Sequence, residues 1–226
     1  LDGVRKVYFE PSLRDLLAPY LGPLSAARVG YREVPAEDLA RLTGSQHHEG
    51  LVFEIQRLRQ PSYQAWLEER DLHPPSRELV LVLEGVANPH NFGAILRTAA
   101  HFGAAAVFLP KSSPLTLSGA VYRVAEGAAE LTPVIRYPDT AALSELRERG
   151  YSLVASAADA PDDAFRCDWP ARSALLLGAE GSGLSDTAQA MASRRVRIPG
   201  SGRVESLDVG QAASLLMAEW WRRHGA

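Results

Sequence analysis

The chain has 226 residues, 46% of them apolar and 23% charged, and a net charge of −3 at pH 7. That apolar share can bury the core of one large domain, or of a medium and a small one, while the slight acidity excludes a protein that attracts nucleic acid by bulk charge alone. No apolar run of ~20 residues is present to span a membrane, no secretory leader is visible, and the lone Cys167 excludes an intramolecular disulfide and fits a reducing, cytoplasmic compartment.

Residues 1–58 read as a small α/β unit. A strand over 4–9 is followed by a helical stretch that Pro11 opens and that carries Leu13, Leu16 and Leu17. A short strand over 29–34, a helix over 36–42 stopped by Gly44, and a strand over 50–55 complete it. A unit whose first element is already a strand suggests a preceding helix outside this sequence. Between 59 and 77, Pro61 and the pair Pro74 and Pro75 flank a short polar helix carrying Trp66 and Leu67. Prolines break regular structure and restrict the residue before them, so a linker is expected here, its aromatic residues packed on a neighbouring domain.

From 78 to 226, strand and helix patterns alternate. Strands are predicted over 79–86, 105–109, 132–137, 151–157, 173–178 and 194–198, and helices over 91–102, 117–127, 139–149, 184–192 and 209–223. Such alternation predicts a mostly parallel sheet with helices on both faces. Near-continuous apolar runs at 79–83 and 174–177 agree, because a strand buried on both faces has no polar side.

Three segments do more than build structure. They are NPHNFGAILRTA at 88–99, LGAEGSGLS at 177–185 and RIPGSGRVESLDV at 197–209. Each lies where a strand pattern ends and a helix pattern begins, the place where open α/β sheets bind ligands. In the second, Gly178, Gly181 and Gly183 lack both the dinucleotide spacing and the Gly-Lys-Ser/Thr of a phosphate loop. Glycines clustered after a buried strand let the backbone approach a ligand closely or take positive φ. Taken alone, this loop reads equally well as a tight turn with a solvated Glu180; beside the other two segments it reads as a cofactor loop. In the third, Gly200 and Gly202 follow a strand ending at Ile198 and Pro199, and Asp208 with Gln211 has the form of a variant capping box. Val209, Ala212, Ala213, Leu216, Met217 and Trp220 then share one face of a long helix. In the first, Phe92, Ile95, Leu96 and Ala99 fill a buried helix face, with Asn91 near the helix start and Arg97 in its second turn.

In residues, glycines and order, these segments resemble the three motifs of the SpoU (TrmH-type) RNA ribose 2′-O-methyltransferases of the SPOUT superfamily. The resemblance implies a trefoil knot at the carboxyl end of the sheet, with the last motifs threaded through an earlier loop. It also implies an amino-terminal RNA substrate-binding domain of ribosomal-protein L30 type over 1–58, a linker over 59–77 and the methyltransferase domain over 78–226. The implied cofactor is S-adenosylmethionine (SAM), held bent and largely by main-chain groups at Gly178, Ile198 and Leu207, with Leu177, Gly183 and Pro199 beside them. The implied reaction moves the sulfonium methyl in line onto a ribose 2′-oxygen of tRNA or rRNA, without a metal. Arg97 becomes the essential residue. A guanidinium with a pKa above about 12 does not accept protons readily, so an electrostatic clamp on the RNA phosphate suits it better than the role of base. Asn91 and Glu180 would orient the site, and Ser206 would bring a hydroxyl near the phosphate. Members of the family are homodimers packed through the knot helices, to which the apolar face and tryptophans of 209–221 are suited.

The chain departs from that pattern at two places. NPHN stands where DPxN is usual, a mild change in a turn. SLDVGQ stands where SLNVSV is common, so Asp208 keeps the capping ability of asparagine but loses its amide donor and adds negative charge near an anionic substrate. Asp208 therefore motivates an alternative, a non-catalytic SAM- and RNA-binding protein acting in RNA or ribosome maturation. A nucleotide-binding α/β protein of another class is a more distant third. His47, His48 and Glu49 are consecutive and cannot face one metal as an i, i+4 pair does, and His90 and His101 lack partners at ligand spacing, so no metal site is expected. Arg194, Arg195, Arg197 and Arg203 are candidates for a basic rim toward RNA. Lys6 and Lys111 are the only lysines, and arginine suits bidentate phosphate contact. Trp220 and Trp221 are expected in core or dimer contacts rather than under bases.

Overall fold

The computed structural model describes residues 3–56 and 60–225, which divide into two compact units, Leu1–Arg59 and Gln60–Ala226. In the first, β1 (Val4–Phe9), α1 (Arg14–Ala26), β2 (Gly30–Glu33), α2 (Ala36–Thr43) and β3 (Leu51–Ile55) follow one another. The strands form a sheet in the order β2-β1-β3, with β1 parallel to β2 and antiparallel to β3. Val7, Leu24 and Val29 make its core, with Val4, Leu21 and Leu51 against them. Gly44 ends α2 in the left-handed conformation, at φ 65°.

The second unit is a three-layer α/β/α structure. Its elements are α3 (Tyr63–Leu72), β4 (Glu78–Glu84), α4 (Pro89–His101), β5 (Ala106–Pro110), α5 (Gly119–Ala125), β6 (Val134–Tyr137), α6 (Ala141–Glu148), β7 (Ser152–Ser156), β8 (Asp162–Asp163), β9 (Arg172–Gly178), α7 (Asp186–Met191), β10 (Arg194–Arg197) and α8 (Val209–His224). The sheet runs β6-β5-β4-β9-β7-β10-β8, and every pairing in it is parallel. Alternation along the strands divides the core. Leu79, Leu81, Leu83, Leu175 and Leu177 face the side covered by α4, α5 and α8, while Val80, Val82, Ala174 and Leu176 face that of α3, α6 and α7. The short β8 carries two aspartates and no strand-forming pattern, and exists by pairing with β10. No helix among the described residues is long and apolar enough to cross a membrane.

The segment expected as a linker, 59–77, carries a helix whose aromatic residues pack on the second unit. Residue 59 lies outside the described residues, and from Gln60 the segment belongs to the second unit. Ser62 caps α3, accepting from the Ala65 amide. Tyr63, Trp66 and Leu67 then fall on one helical face and are buried in the core. The Trp66 ring meets Phe108 edge to face at 5.0 Å, and the Tyr63 hydroxyl donates to the Ala142 carbonyl at 3.1 Å. Gln60 accepts from the Val134 amide and so covers the edge of β6. The prolines set the ends of a docked helix rather than freeing a tether.

Candidate active site

Strands β4 and β9 lie side by side along their whole length, so Glu84 sits opposite Gly178. The chain leaves β4 toward β5 on one side, while β9 opens the other half of the sheet. Their carboxyl ends therefore form a topological switch point, with a crevice between diverging loops. The first two motif segments start there.

Local sequence fixes the glycine loop. A Cβ at Gly178 would lie 2.1 Å from the Gly183 carbonyl carbon, so only glycine fits. Ala179 and Gly183 close the turn through an amide-to-carbonyl bond of 2.9 Å, with Gly181 and Gly183 at positive φ. Two contacts hold this turn to the end of β4. Glu84 Oε2 accepts from the Ser185 amide at 3.1 Å, and a Cβ at Gly85, whose φ is 72°, would be 3.0 Å from the Ala179 Cβ. Glu84 went unremarked in the sequence, since an acidic residue ending a strand carries no signal of its partner.

The first segment supplies a helix start. Asn88 caps α4, its side chain accepting from the His90 amide at 2.8 Å, with Pro89 in the first turn. Asn91 Nδ2 donates to Glu180 Oε1 at 2.6 Å, which joins the first and second motif segments directly. The third segment reaches the same place through α8. Asp208 is its N-cap and accepts from the Gly210 and Gln211 amides at 2.9 and 3.0 Å, as the capping pattern predicted. A Cβ at Gly210 would stand 3.8 Å from both the Asn91 carbonyl oxygen and the Ala94 Cβ, so the first turns of α4 and α8 meet. The Thr98 and Ser214 hydroxyls bridge the same two helices at 3.1 Å.

Asn91, Glu180, Gly178, Gly183 and Asp208 thus gather where α4 and α8 begin. Leu177 is buried in the core and offers the site only its main chain. Ile198 packs partly buried against that core, while Pro199, Ser206 and Leu207 lie exposed, and no hydrogen bond or ion pair among the described residues ties 198–207 to 177–185. Among the described residues, no hydrogen bond or ion pair joins Arg97 to the other candidate residues. Arg97 pairs with Glu126, Nη1 to Oε1, at 2.8 Å. That partner comes from the end of α5, where no sequence pattern pointed to it.

The candidate rim arginines of β10 have partners within the chain. Arg194 pairs with Asp162 at 3.4 Å and Arg195 with Asp159 at 2.9 Å, while Arg197 donates to the Ala160 and Pro161 carbonyls at 2.8 and 2.7 Å. These arginines hold the 159–163 segment along β10. Trp220 is buried and donates to the Pro170 carbonyl, and Trp221 lies half exposed against Phe102. Burial pushes the Cys167 thiol above its ordinary value, which suits an unreactive side chain.

Residues 78–218 match the model of the SpoU rRNA Methylase family. A 23S rRNA (guanosine-2′-O-)-methyltransferase RlmB from Ralstonia nicotianae is 36% identical over 221 residues, covering 96% of this chain and 87% of that protein. An uncharacterized tRNA/rRNA methyltransferase YfiF from Escherichia coli O157:H7 is 32% identical over the whole chain, which spans 64% of that protein's length. Among solved structures, an AdoMet-bound rRNA methyltransferase from Sinorhizobium meliloti has a TM-score of 0.77 at 25% identity, covering 98% of this chain and 80% of its own. An RNA 2′-O ribose methyltransferase reaches a TM-score of 0.78, also at 25% identity, covering 97% and 81%.

Proposed function

The chain belongs to the SpoU rRNA Methylase family, and from that premise we propose that it transfers a methyl group from SAM to a ribose 2′-hydroxyl of rRNA or tRNA in the cytoplasm. The observation that carries this is the Asn91–Glu180 hydrogen bond, which brings two chain-distant motif segments together at a switch point beside the start of α8. The residues suit the cofactor. Adenine presents an edge that needs one donor and one acceptor in fixed geometry, and the turn at 178–183 offers main-chain groups, its backbone folded so tightly that a Cβ at 178 would strike residues 183 and 184. Main-chain groups of Leu177, Gly178, Gly183, Ile198, Pro199 and Leu207 hold SAM on this proposal, and its sulfonium supplies the methyl group. No metal takes part.

Arg97 clamps the phosphate beside the target ribose, and its charge stabilises alkoxide character on the 2′-oxygen. Asn91 and Glu180 orient one another and the sugar, and Ser206 presents a hydroxyl to the phosphate. Asp208 holds the first turn of α8. The knot is part of the same proposal. β10 runs between β7 and β8, two strands joined by residues 157–161, and the chain beyond it returns to set α8 against α4; such a path suits threading through an earlier loop. The first unit is the L30-type domain that recruits RNA, and a homodimer forms through the knot helices, using the exposed Leu215 and Trp221 of α8.

Calorimetric SAM titration together with transfer of labelled methyl to an unmodified 23S rRNA transcript tests this. Arg97→Ala is expected to lower transfer about 10²–10³-fold, the cost of one stabilising donor, with SAM affinity within about threefold. Wild-type transfer by that variant would remove Arg97 from the chemistry. Asp208 favours the second function, SAM and RNA binding without catalysis. Its capping bonds use only the oxygen that asparagine would also offer, so Asp208→Asn keeps the helix start and removes one negative charge. Transfer absent in the wild type and restored by Asp208→Asn would establish that alternative.

A further inference from the structure

We propose that Glu126 is a displaceable counter-ion for Arg97, a carboxylate that keeps the place of an RNA phosphate until the substrate arrives. This rests on the role given to Arg97 above and adds a positioning residue that lies outside all three motif segments. The two groups are 2.8 Å apart, Nη1 to Oε1.

Two features show that the contact is built into the fold. Glu126 ends α5 in the left-handed conformation, at φ 46° and ψ 54°, which disfavours any residue with a Cβ. Strain kept at a non-glycine residue points to a use for its side chain. Second, α4 and α5 are fixed in register just before the pair. A Cβ at Gly93 would lie 2.7 Å from the Val124 Cβ and 3.0 Å from the Val121 carbonyl oxygen, so α4 offers no side chain here and Val124 packs directly on its backbone. Arg97 follows Gly93 by one turn of α4, and Glu126 follows Val124 by two residues, so this close approach delivers each group to the other.

The contact is also weak enough to yield. The two side chains are 57% and 61% exposed, so water and salt screen their attraction. An RNA phosphate can take both arms of the guanidinium, a stronger arrangement than the single close contact made by Glu126. Binding RNA then exchanges one anion for another on Arg97.

Filter binding of unmodified rRNA to the whole chain between about 50 and 200 mM salt, with methyl-transfer kinetics, tests the proposal. The proteins are wild type, Glu126→Gln, Glu126→Gly, Arg97→Ala and the double variant Arg97→Ala with Glu126→Gln. Glu126→Gln is expected to bind RNA about two- to fivefold more tightly at low salt. Its salt dependence should steepen by up to about one counter-ion, and its KM for RNA should fall while kcat stays within about twofold. Glu126→Gly should do the same without lowering the melting temperature, because glycine accepts that backbone conformation. In the Arg97→Ala background the gain should vanish. RNA binding that is unchanged or weaker in Glu126→Gln overturns the proposal. So does a gain that survives without Arg97, since Glu126 would then be only one more surface charge. If Arg97→Ala binds and methylates RNA like the wild type, the role of Arg97 itself has failed, and that result is told apart because it needs no Glu126 variant.

Discussion

No side chain fits at position 178, where a Cβ would lie 2.4 Å from both the Gly183 carbonyl oxygen and the Leu184 amide nitrogen. Gly178→Ala must therefore open the turn that Ala179 and Gly183 close. We expect SAM affinity to fall at least about tenfold, while global stability drops by only the ~1–3 kcal/mol that overpacking costs. Calorimetric titration beside a thermal scan checks this, and undiminished SAM affinity would contradict a main-chain hold at this turn. Glycines of this kind are legible in a sequence because few other roles call for three of them around one acidic residue. Asn91 and Glu180 were legible only through the resemblance of their motifs to those of the family, while Asp208 was legible from its capping pattern. The Arg97–Glu126 pair was not. Its members lie on different helices, and what joins them is the close approach at Gly93, which sequence periodicity records only as a small residue on a buried face.

Elements are joined by contacts that composition does not reveal. Composition marks the arginines of β10 as basic, and the structure adds their partners: Arg194 and Arg195 pair with the aspartates of 159–163 and Arg197 with its carbonyls, fastening an edge segment too polar to pair by strand pattern alone. The short helix within 59–77 was legible as a helix with packed aromatic residues; the depth of its burial was not, because flanking prolines mark an end of structure without saying whether the face between them is buried. The far end of α8 supplies a test. Glu219 is 6% exposed and accepts from Arg222 at 2.8 Å and Arg223 at 2.7 Å. The Arg222 hydrogen bond, opposed by burial and reinforced by Arg223, holds its carboxyl below the ordinary value of 4.5. A carboxyl depressed in the folded state stabilises the fold fully above its unfolded pKa, and that share is lost as pH falls through the folded pKa. The melting temperature should thus decline as pH drops below about 4.5. Glu219→Gln should be less stable at pH 7, by about 1–3 kcal/mol, and flatter across the acid range. Parallel melting curves for the two proteins would contradict the assignment.

At the scale of the molecule, alternation of strand and helix patterns was enough to predict a parallel sheet covered on both faces, since strands such as β4 and β9 are apolar on both sides. Strand order was not available from that pattern, because it depends on which apolar runs meet. The order places β4 beside β9 and thereby sets the Asn91 and Glu180 segments at one crevice. The proposed chemistry depends on that adjacency, with a methyl donor held by the glycine turn, the ribose oriented by Asn91 and Glu180, and its neighbouring phosphate clamped by Arg97. The most direct measurement is to incubate the whole chain with methyl-labelled SAM and unmodified 23S rRNA, then hydrolyse the RNA in alkali. A 2′-O-methylated nucleotide protects its neighbouring phosphodiester bond, so label should appear in an alkali-resistant dinucleotide and be lost with Arg97→Ala. Label confined to mononucleotides, which marks methylation of a base, would contradict the account.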